Sequence, residues 1–226
     1  MSVVVLDCEQ GSDEWRAARA GIPTASEFSS ILAKGEGKMR RSYMLRLAGE
    51  RLTGSPAETY SNAHMERGRE MEAEARDYYS LVSGPVTRVG FVRDDAKGAG
   101  CSPDSFIGAR GALEIKTALP AILIDKIDRG GFPPEHKAQC QGVLWVAERE
   151  WIDLLVYWPS MPPYTVRARR DEDYIATLAG EVARFNDDLA ALVEKVRRYG
   201  DPAGLHGALA ASVEDARRTG DIRMAG

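Results

Sequence analysis

The segment that most constrains the fold is Ser102-Pro103-Asp104, followed ten residues after the aspartate by Glu114-Ile115-Lys116. If residues 111–117 form a strand, their side chains alternate, so that Glu114 and Lys116 share one face. A turn that ends at Asp104 can return its carboxylate to the side of Glu114. The pattern therefore predicts two acids and one amine converging at the end of a sheet.

This arrangement has two interpretations. Two carboxylates supply hard oxygen ligands for Mg²⁺, and a lysine two residues along can orient or deprotonate a water that attacks a phosphodiester. An isolated Glu-x-Lys is more often a solvated strand face that carries an ion pair. The preceding Pro103-Asp104 favours the metal site only moderately, so the choice depends on the rest of the chain.

Composition places few limits on function. Of the 226 residues, 44% are apolar and 28% charged, which is ordinary for a soluble globular protein. The net charge of −4 argues against a generally basic nucleic-acid coat, but it leaves room for an enzyme with a basic groove and an acidic outer surface. No apolar run approaches the ~18 residues of a membrane span, so we expect no membrane association.

The cysteines predict a reducing compartment. Cys8, Cys101 and Cys140 are odd in number and far apart, and they form no Cys-x-x-Cys pair. This spacing argues against a disulfide framework and against a zinc or iron–sulfur site. We therefore expect a cytoplasmic protein.

Periodicity and capping signals predict helices first and strands afterwards. The short apolar run 3–6 indicates a strand or core segment, and Ser12 is the expected N-cap of the first helix, which stops at Gly21. Further helices are predicted at 24–33, 42–53, 63–82, 120–129, 135–147 and from about 171, and a Gly-rich loop at 34–38. Strands are predicted at 86–93, 105–107, 112–117, 151–158 and 164–169. This order favours an α/β or α+β fold on a mixed sheet.

The last helix carries a long apolar stripe. Its positions repeat at a spacing of three and four residues, which predicts a face buried in the core: Ile175, Leu178, Val182, Phe185, Leu189, Leu192, Val196 and Tyr199.

Glu72 is a second candidate for chemistry. On the helix predicted at 63–82, Glu72 shares an arc of about 80° with four uncharged residues, whereas the neighbouring charges, including Arg76, project elsewhere. The four are Gly68, Ala75, Tyr79 and Val82. A carboxylate facing a core is costly unless it is paired or bound to metal. The residue is therefore either half of a buried salt bridge to an arginine or a third acid beside Asp104 and Glu114.

Three polar residues are weaker candidates. Gln139 lies on the helix predicted at 135–147, where it is either a surface residue or an uncharged amide that holds a water or a phosphate oxygen. Arg19 and Ser26 flank the break between the first two helices. They are either an exposed arginine and an ordinary cap, or a guanidinium fork reinforced by helix N-terminal amides for a phosphate.

Taken together, these segments resemble the lambda exonuclease family, the phage alkaline exonucleases also called YqaJ-type viral recombinases. The resemblance extends from about Gln10 to the final helix. Five motifs occur in the family's order: Gln10-Gly11-Ser12-Asp13-Glu14-Trp15 with Arg19, Gly21 and Thr24-Ala25-Ser26-Glu27; Gly68-Arg69-Glu70-Met71-Glu72; Cys101-Ser102-Pro103-Asp104; Leu113-Glu114-Ile115-Lys116; and Ala138-Gln139-Cys140-Gln141 with Trp145.

The resemblance implies a restriction-endonuclease-like fold of the PD-(D/E)xK type, a central mixed sheet flanked by helices. The family digests one strand of linear duplex DNA from the 5′ end, releases mononucleotides and leaves a 3′ tail for strand annealing. A ring-shaped homotrimer and a phage single-strand annealing protein as partner are implied as well. We expect one nuclease domain over 1–226, with N-terminal helices 12–83, a catalytic sheet core 85–170, a helix 171–199 and a loosely attached tail 200–226.

The resemblance also implies roles for individual residues. Asp104 and Glu114, with the backbone carbonyl of Ile115, bind Mg²⁺, for which Mn²⁺ can substitute, with two ions per site. Lys116 activates the attacking water. Glu72 and Gln139 position metal-bound water or the nucleophile, and three residues contact the terminal 5′-phosphate: Arg19, Ser26 and Ser102.

One position departs from the family. The glutamine helix often carries a tyrosine three residues before Gln139, where this chain has His136. Two alternatives stay open: another nuclease on the same core, such as an endonuclease or a RecB-type enzyme, and a catalytically silent DNA-binding or recombination scaffold. The iron–sulfur RecB type needs clustered cysteines, and a silent scaffold would have no reason to keep all four charged candidates: Glu72, Asp104, Glu114 and Lys116.

Overall fold

The computed structural model describes residues 3–33, 37–57 and 63–199, with the backbone alone at 63–67 and 69. Most of the Gly-rich loop predicted at 34–38 and the whole tail predicted at 200–226 lie outside these residues.

Most predicted elements are present, with small shifts at their ends. Ser12 accepts a hydrogen bond from the N–H of Trp15 and caps α1 as expected, and Gly54 ends α3 in the left-handed conformation, φ 69°. The helices are α1 Asp13–Arg19, α2 Phe28–Leu32, α3 Lys38–Thr53, α4 Ala63–Ser83, α5 Pro120–Arg129, α6 Lys137–Val146 and α7 Glu172–Tyr199. The strands are β1 Val4–Leu6, β2 Thr87–Arg88, β3 Phe91–Asp94, β4 Ala99–Cys101, β5 Ser105–Ile107, β6 Gly111–Thr117, β7 Trp151–Tyr157 and β8 Tyr164–Arg169.

A five-stranded mixed sheet forms the centre of the fold. Its strand order is β2-β5-β6-β7-β8, with β6 and β7 parallel and the other neighbours antiparallel. The strands β1, β3 and β4 form a separate antiparallel sheet. The predicted α/β class, a mixed sheet flanked by helices, is confirmed.

The single strand predicted at 86–93 is wrong. The segment divides into β2 and β3, which belong to different sheets, and the break includes Gly90. A Cβ at Gly90 would collide with the backbone oxygens of Leu6 and Cys8, so only a glycine lets the chain pass this close to β1 and the residues after it. The strand β4 was not predicted, because three small residues give no alternating pattern.

The two faces of the central sheet pack against different helices. Leu113 and Ile115 of β6 lie with Ala75 and Tyr79 of α4 in one buried cluster. Ala112 lies on the opposite face, in the larger core that includes side chains of α2, α3, α6 and α7. Because side chains alternate, Glu114 and Lys116 lie on the α6 side of the sheet.

The stripe predicted on α7 is buried only in part. Ile175 through Leu189 are in the core as expected, but Val196 is 44% and Tyr199 84% exposed, and Val193 is buried although it was not predicted. Periodicity identifies the face of a helix that packs, but not the turn at which its neighbours end. Within the described residues, no helix is long and apolar enough to cross a membrane.

Candidate active site

The hairpin of β5 and β6 brings Asp104 and Glu114 together. Ser105 pairs with Leu113 in the antiparallel ladder, and the Asp104 N–H donates to the Leu113 carbonyl at 3.1 Å. The Asp104 carboxylate then accepts the N–H of Ile115 at 2.5 Å. Both acids are buried, at 8% and 3% exposure. The predicted convergence is confirmed, whereas the chemical roles of the two acids stay predictions.

Lys116 and Gln139 both bind one oxygen of Glu114. The Lys116 ammonium lies 2.8 Å from Glu114 Oε1, and the side-chain amide of Gln139 donates to the same atom. Gln139 is thus not a surface residue, because α6 packs beside the face of β6 that carries Glu114. The second oxygen, Oε2, is buried and lacks a hydrogen-bond partner among the described residues.

The electrostatics of the cluster favour an added positive charge. Burial raises the pKa of Asp104 well above its ordinary value, and the negative charges of Glu114 and Glu72 raise it further. Burial alone would lower the pKa of Lys116, but the carboxylates of Glu114 and Asp104 outweigh it and raise that pKa. Asp104 therefore holds a proton more readily than an exposed carboxylate does, and a cation beside it would offset the repulsion.

These residues fit a divalent cation of the kind that prefers oxygen. Nowhere in the described chain do three or more His, Cys, Asp or Glu side chains form a group placed to hold a metal. The predicted set contains only two carboxylates and one backbone carbonyl, which suits an ion that takes its other ligands from water and substrate. The buried, unbonded Oε2 of Glu114 is the observation that supports this fit.

Glu72 is in an ion pair, and its charge also reaches the acids of the hairpin. It binds Arg76, one turn further along α4, whose side chain is only 10% exposed. The expectation that Arg76 projects away from this face is wrong, since the pair lies at the spacing at which helix side chains meet. Val82 is 58% exposed, so the face is buried only as far as Tyr79. Glu72 is therefore paired with an arginine, but its side chain is 31% exposed and not buried, and its role as a third acid beside Asp104 and Glu114 stays a prediction.

The predicted phosphate-binding residues line the same cavity as the two acids. This cavity has a volume of about 170 Å³. Its walls include Arg19, Ser26, Ser102, Asp104, Glu114 and Gln139. The Arg19 guanidinium lies 3.8 Å from the ring centroid of Trp15, and burial lowers its pKa. Their role in binding a phosphate stays a prediction.

Two further residues shape this cavity and were not assigned a role from the sequence. The Trp15 indole N–H donates to Ser102 Oγ at 2.9 Å, so the ring holds both Ser102 and Arg19. The Gln10 amide binds the carbonyls of Val89 and Pro103 at 2.7 and 3.0 Å and so fixes the turn before Asp104. The spacing of Trp15 and Arg19, one helical turn apart, was the available signal.

A larger cavity of about 630 Å³ adjoins the first and shares Gln10, Trp15 and Arg19 with it. Glu72 and Arg76 lie in its wall. The two cavities therefore have part of their walls in common.

His136 lies half-buried at the end of the short 3₁₀ turn before α6, with Nε2 3.9 Å from Glu135 Oε1. Burial lowers its pKa, and the nearby charge of Lys116 lowers it further. The position that departs from the family is thus close enough to Lys116 to sense its charge.

Comparison with known proteins gives one consistent result. A profile of the YqaJ-like viral recombinase domain matches residues 14–150. The crystal structure of an alkaline exonuclease, LHK-Exo from Laribacter hongkongensis, is 34% identical in sequence, with a TM-score of 0.76 over 83% of this chain and 97% of that one. Its complex with dAMP gives the same identity and coverage and a TM-score of 0.77.

A phage-related exonuclease from Haemophilus somnus 129PT shares the fold at 15% identity and a TM-score of 0.59, over 77% of this chain and 96% of that one. No curated protein sequence matches the chain. The matched region contains the helix of Glu72, the hairpin of Asp104 and Glu114, and the helix of Gln139. The chain therefore belongs to the family of YqaJ-like viral recombinases.

Proposed function

We propose that the protein is a Mg²⁺-dependent exonuclease that digests one strand of linear duplex DNA in the 5′ to 3′ direction. It releases mononucleotides and leaves 3′ single-stranded tails for recombination by strand annealing. The observation that carries the proposal is the buried Glu114 carboxylate, with one oxygen bound by Lys116 and Gln139 and the other unbonded, in one cavity with Asp104 and Arg19. The relation to an alkaline exonuclease, also seen with dAMP, supports it.

The metal ligands in this proposal are Asp104, Glu114 and the backbone carbonyl of Ile115, for Mg²⁺ or Mn²⁺ and with two ions per site. When bound, the cation stabilises the negative charge that develops on the phosphodiester. The remaining steps belong to side chains of the protein. Gln139 holds Glu114 in one orientation without adding charge, and Glu72 is assigned to the positioning of the attacking water.

Lys116 has a defined protonation state in this arrangement. Its raised pKa and its ion pair with Glu114 keep the ammonium charged, so it donates hydrogen bonds and orients a water. To accept a proton it must first lose the stabilisation that the two carboxylates provide. With a cation bound to Glu114 and Asp104, Lys116 would lose part of this stabilisation, and its pKa would fall toward the range of a general base.

Recognition of the DNA end is assigned to three polar residues that line the same cavity as the acids. Arg19 offers a guanidinium fork for the 5′-phosphate, and Ser26 and Ser102 add neutral hydrogen bonds. Trp15 keeps the guanidinium and Ser102 in place before DNA arrives. A phosphate held there lies in the same cavity as Asp104 and Glu114.

We extend the proposal to a ring-shaped homotrimer around DNA and to a phage single-strand annealing protein as partner, on the strength of family membership. The whole chain acts as one nuclease domain, and its three free cysteines suit the cytoplasm. Light scattering coupled to gel filtration measures the mass of the particle in solution and so tests the trimer. A measured mass equal to that of one chain at working concentration would exclude it.

The decisive experiment compares blunt linear duplex with covalently closed circular duplex, with and without Mg²⁺, each linear strand labelled at its 5′ or 3′ end. We expect Mg²⁺-dependent release of labelled mononucleotide from 5′ ends and no cleavage of circles. Cleavage of circles would indicate an endonuclease, and DNA binding without any cleavage would indicate a scaffold.

Variants of the two acids connect the activity to this site. Asp104→Ala and Glu114→Ala should abolish cleavage and keep DNA binding, because the metal loses a charged ligand. More than a few per cent of wild-type turnover in either variant would exclude the proposed ligand set.

A further inference from the structure

Arg76 is a buried guanidinium beside the site that the proposed chemistry does not use. It lies on α4 and is 8% exposed. One end of the guanidinium is ion-paired with Glu72 through Nη2. The other end donates from Nε to Ser105 Oγ at 3.2 Å, so the two contacts join α4 to β5.

Ser105 continues this connection to the acids. It is fully buried and directly follows Asp104, and its hydroxyl donates to the Asp104 carbonyl at 2.6 Å. The same hydroxyl oxygen accepts the hydrogen bond from Arg76. Arg76 is thus connected through one hydroxyl to the backbone of Asp104, and directly to the carboxylate of Glu72.

We propose that Arg76 is a positioning residue, which fixes the carboxylate of Glu72 relative to Asp104 by holding α4 and the start of β5 with one guanidinium. This inference rests on the proposed function. A guanidinium is planar and its donors have fixed directions, so two simultaneous bonds define where both partners lie. A lysine at the same position has the charge but only a single nitrogen.

The charge of Arg76 is needed for a second reason. Glu72 and Glu114 both lie close enough to Asp104 for their charges to act on it. Three neighbouring carboxylates repel, and a carboxylate on a helix surface is free to rotate toward solvent. A permanently charged, buried partner keeps Glu72 directed at the site when the cation is absent.

A double-mutant cycle separates this role from that of an ordinary structural ion pair. If Arg76 acts through Glu72, then Arg76→Met in the wild-type background lowers kcat by about tenfold or more and leaves KM within about twofold. In the Glu72→Gln background, the same substitution lowers kcat by less than about twofold further. Losses that multiply in the double variant would overturn the proposal.

The binding of Mn²⁺ alone, followed by electron paramagnetic resonance, gives a readout that does not depend on turnover. Arg76→Met removes the positive charge of the guanidinium from the neighbourhood of the acids, so the affinity for Mn²⁺ should be unchanged or tighter. Weaker Mn²⁺ binding would mean that the site has collapsed and that Arg76 is a structural residue only.

Two further variants test the two-point contact. Arg76→Lys and Ser105→Ala each remove the Arg76–Ser105 bond and keep a cation beside Glu72, so each should lower kcat partially and have no effect in the Glu72→Gln background. Full activity in both would reduce the role of Arg76 to its charge alone and refute positioning. Ser105→Ala removes only one oxygen, so it keeps the test available if Arg76→Met does not fold.

Arg149→Met is the matched control, since Arg149 binds the carbonyls of Gly108 and Ala109 at the far end of the same hairpin. It should lower the melting temperature without changing kcat per folded molecule.

The failure of the proposed function and the failure of the positioning role can be told apart. A wild-type protein that binds Mn²⁺ but degrades no linear duplex refutes the proposed function, whereas an active wild type with multiplying losses refutes only the positioning role.

Discussion

The side-chain amide of Gln139 on α6 donates to Glu114 Oε1 on β6, although 25 residues separate the two along the chain. Gln139→Ala should therefore lower turnover by about tenfold or more, because Glu114 becomes free to rotate away from its productive orientation. The melting temperature should change by less than about 2 °C, since Lys116 still pairs with Glu114. Single-turnover kinetics and thermal unfolding measure the two effects.

The neighbouring glutamine on the same helix is the control. Gln141 is 3% exposed and binds the Arg169 carbonyl and the Asp171 N–H, both away from the acids. Gln141→Ala should cost about 1–3 kcal/mol of folding stability and leave turnover per folded molecule unchanged. A Gln139 variant that behaved in the same way would remove Gln139 from the site.

The raised pKa of Asp104 predicts how stability depends on pH without metal. Below its ordinary value of 3.8 the carboxyl is protonated in both the folded and the unfolded chain. As pH rises past that value, the unfolded chain releases its proton first, so wild type loses stability until the higher pKa of the folded state is passed. Asp104→Asn avoids this loss, and in EDTA it should melt about 3 °C or more above wild type at neutral pH.

The same variant should melt close to wild type below pH 3.8, where the two differ little in charge. Added Mg²⁺ should raise the melting temperature of wild type and not that of Asp104→Asn. An Asn variant less stable than wild type at neutral pH in EDTA would contradict the assignment of the raised pKa.

Ca²⁺ should support DNA binding but not cleavage. It prefers oxygen ligands as Mg²⁺ does, but its coordination shell is larger and looser, so the attacking water would be poorly aligned. Fluorescence anisotropy of labelled duplex and product release, measured on the same samples, check both halves. Rapid digestion in Ca²⁺ alone would argue against a site that depends on metal geometry.

Arg19→Ala should erase the preference for 5′-phosphorylated over 5′-hydroxyl ends. A terminal phosphate carries more charge than an internal diester, and one charge-assisted contact is worth roughly 1.5–3 kcal/mol, or about ten- to a hundredfold in rate. Digestion rates of matched duplexes with the two kinds of end measure it. Arg16, on the same helix and ion-paired with Asp13, is the control whose replacement should keep the preference. Equal slowing of both ends by Arg19→Ala would make Arg19 a general contact.

A buried network away from the cavity should govern stability. Asp153 is 4% exposed, accepts the Tyr79 hydroxyl at 2.5 Å and binds Arg167 through both oxygens at 2.7 and 2.9 Å. Asp153→Ala should cost about 2–4 kcal/mol, because the buried Tyr79 hydroxyl loses its acceptor. Urea unfolding measures this. Tyr79→Phe should lower the free energy of unfolding by less than Asp153→Ala does. A larger loss of stability in Tyr79→Phe than in Asp153→Ala would assign the stability to the tyrosine alone.

Local patterns were sufficient to predict part of the site. Asp104 and Glu114 belong to one hairpin, so alternation and a turn were enough to predict their meeting. The periodicity of its own helix was enough to identify Glu72 as a candidate. Arg76 was missed because an arc drawn around one helix does not show that β5 supplies a partner, Ser105, for a side chain at its edge.

The errors in the fold have the same origin. The strand predicted at 86–93 has the right composition, and it breaks because Gly90 passes the backbone of β1, more than eighty positions earlier in the chain. The exposed end of α7 likewise depends on where its neighbouring helices stop. Contacts between distant segments decide such features, and no window of sequence contains both partners.

The pairing of Ser105 with Leu113 has a consequence for how this hairpin tolerates change. The tip at 108–110 is bound by Arg149 through the carbonyls of Gly108 and Ala109, so a change of length there acts on these contacts and not on the pairing beside the acids. A one-residue slip in the pairing is different, since it would carry Glu114 to the α4 face and bring Leu113 or Ile115 to face Gln139. Insertions at the tip should therefore lower stability but keep activity per folded molecule, whereas a single insertion within β6 should abolish activity, although the two kinds of position lie within ten residues of each other.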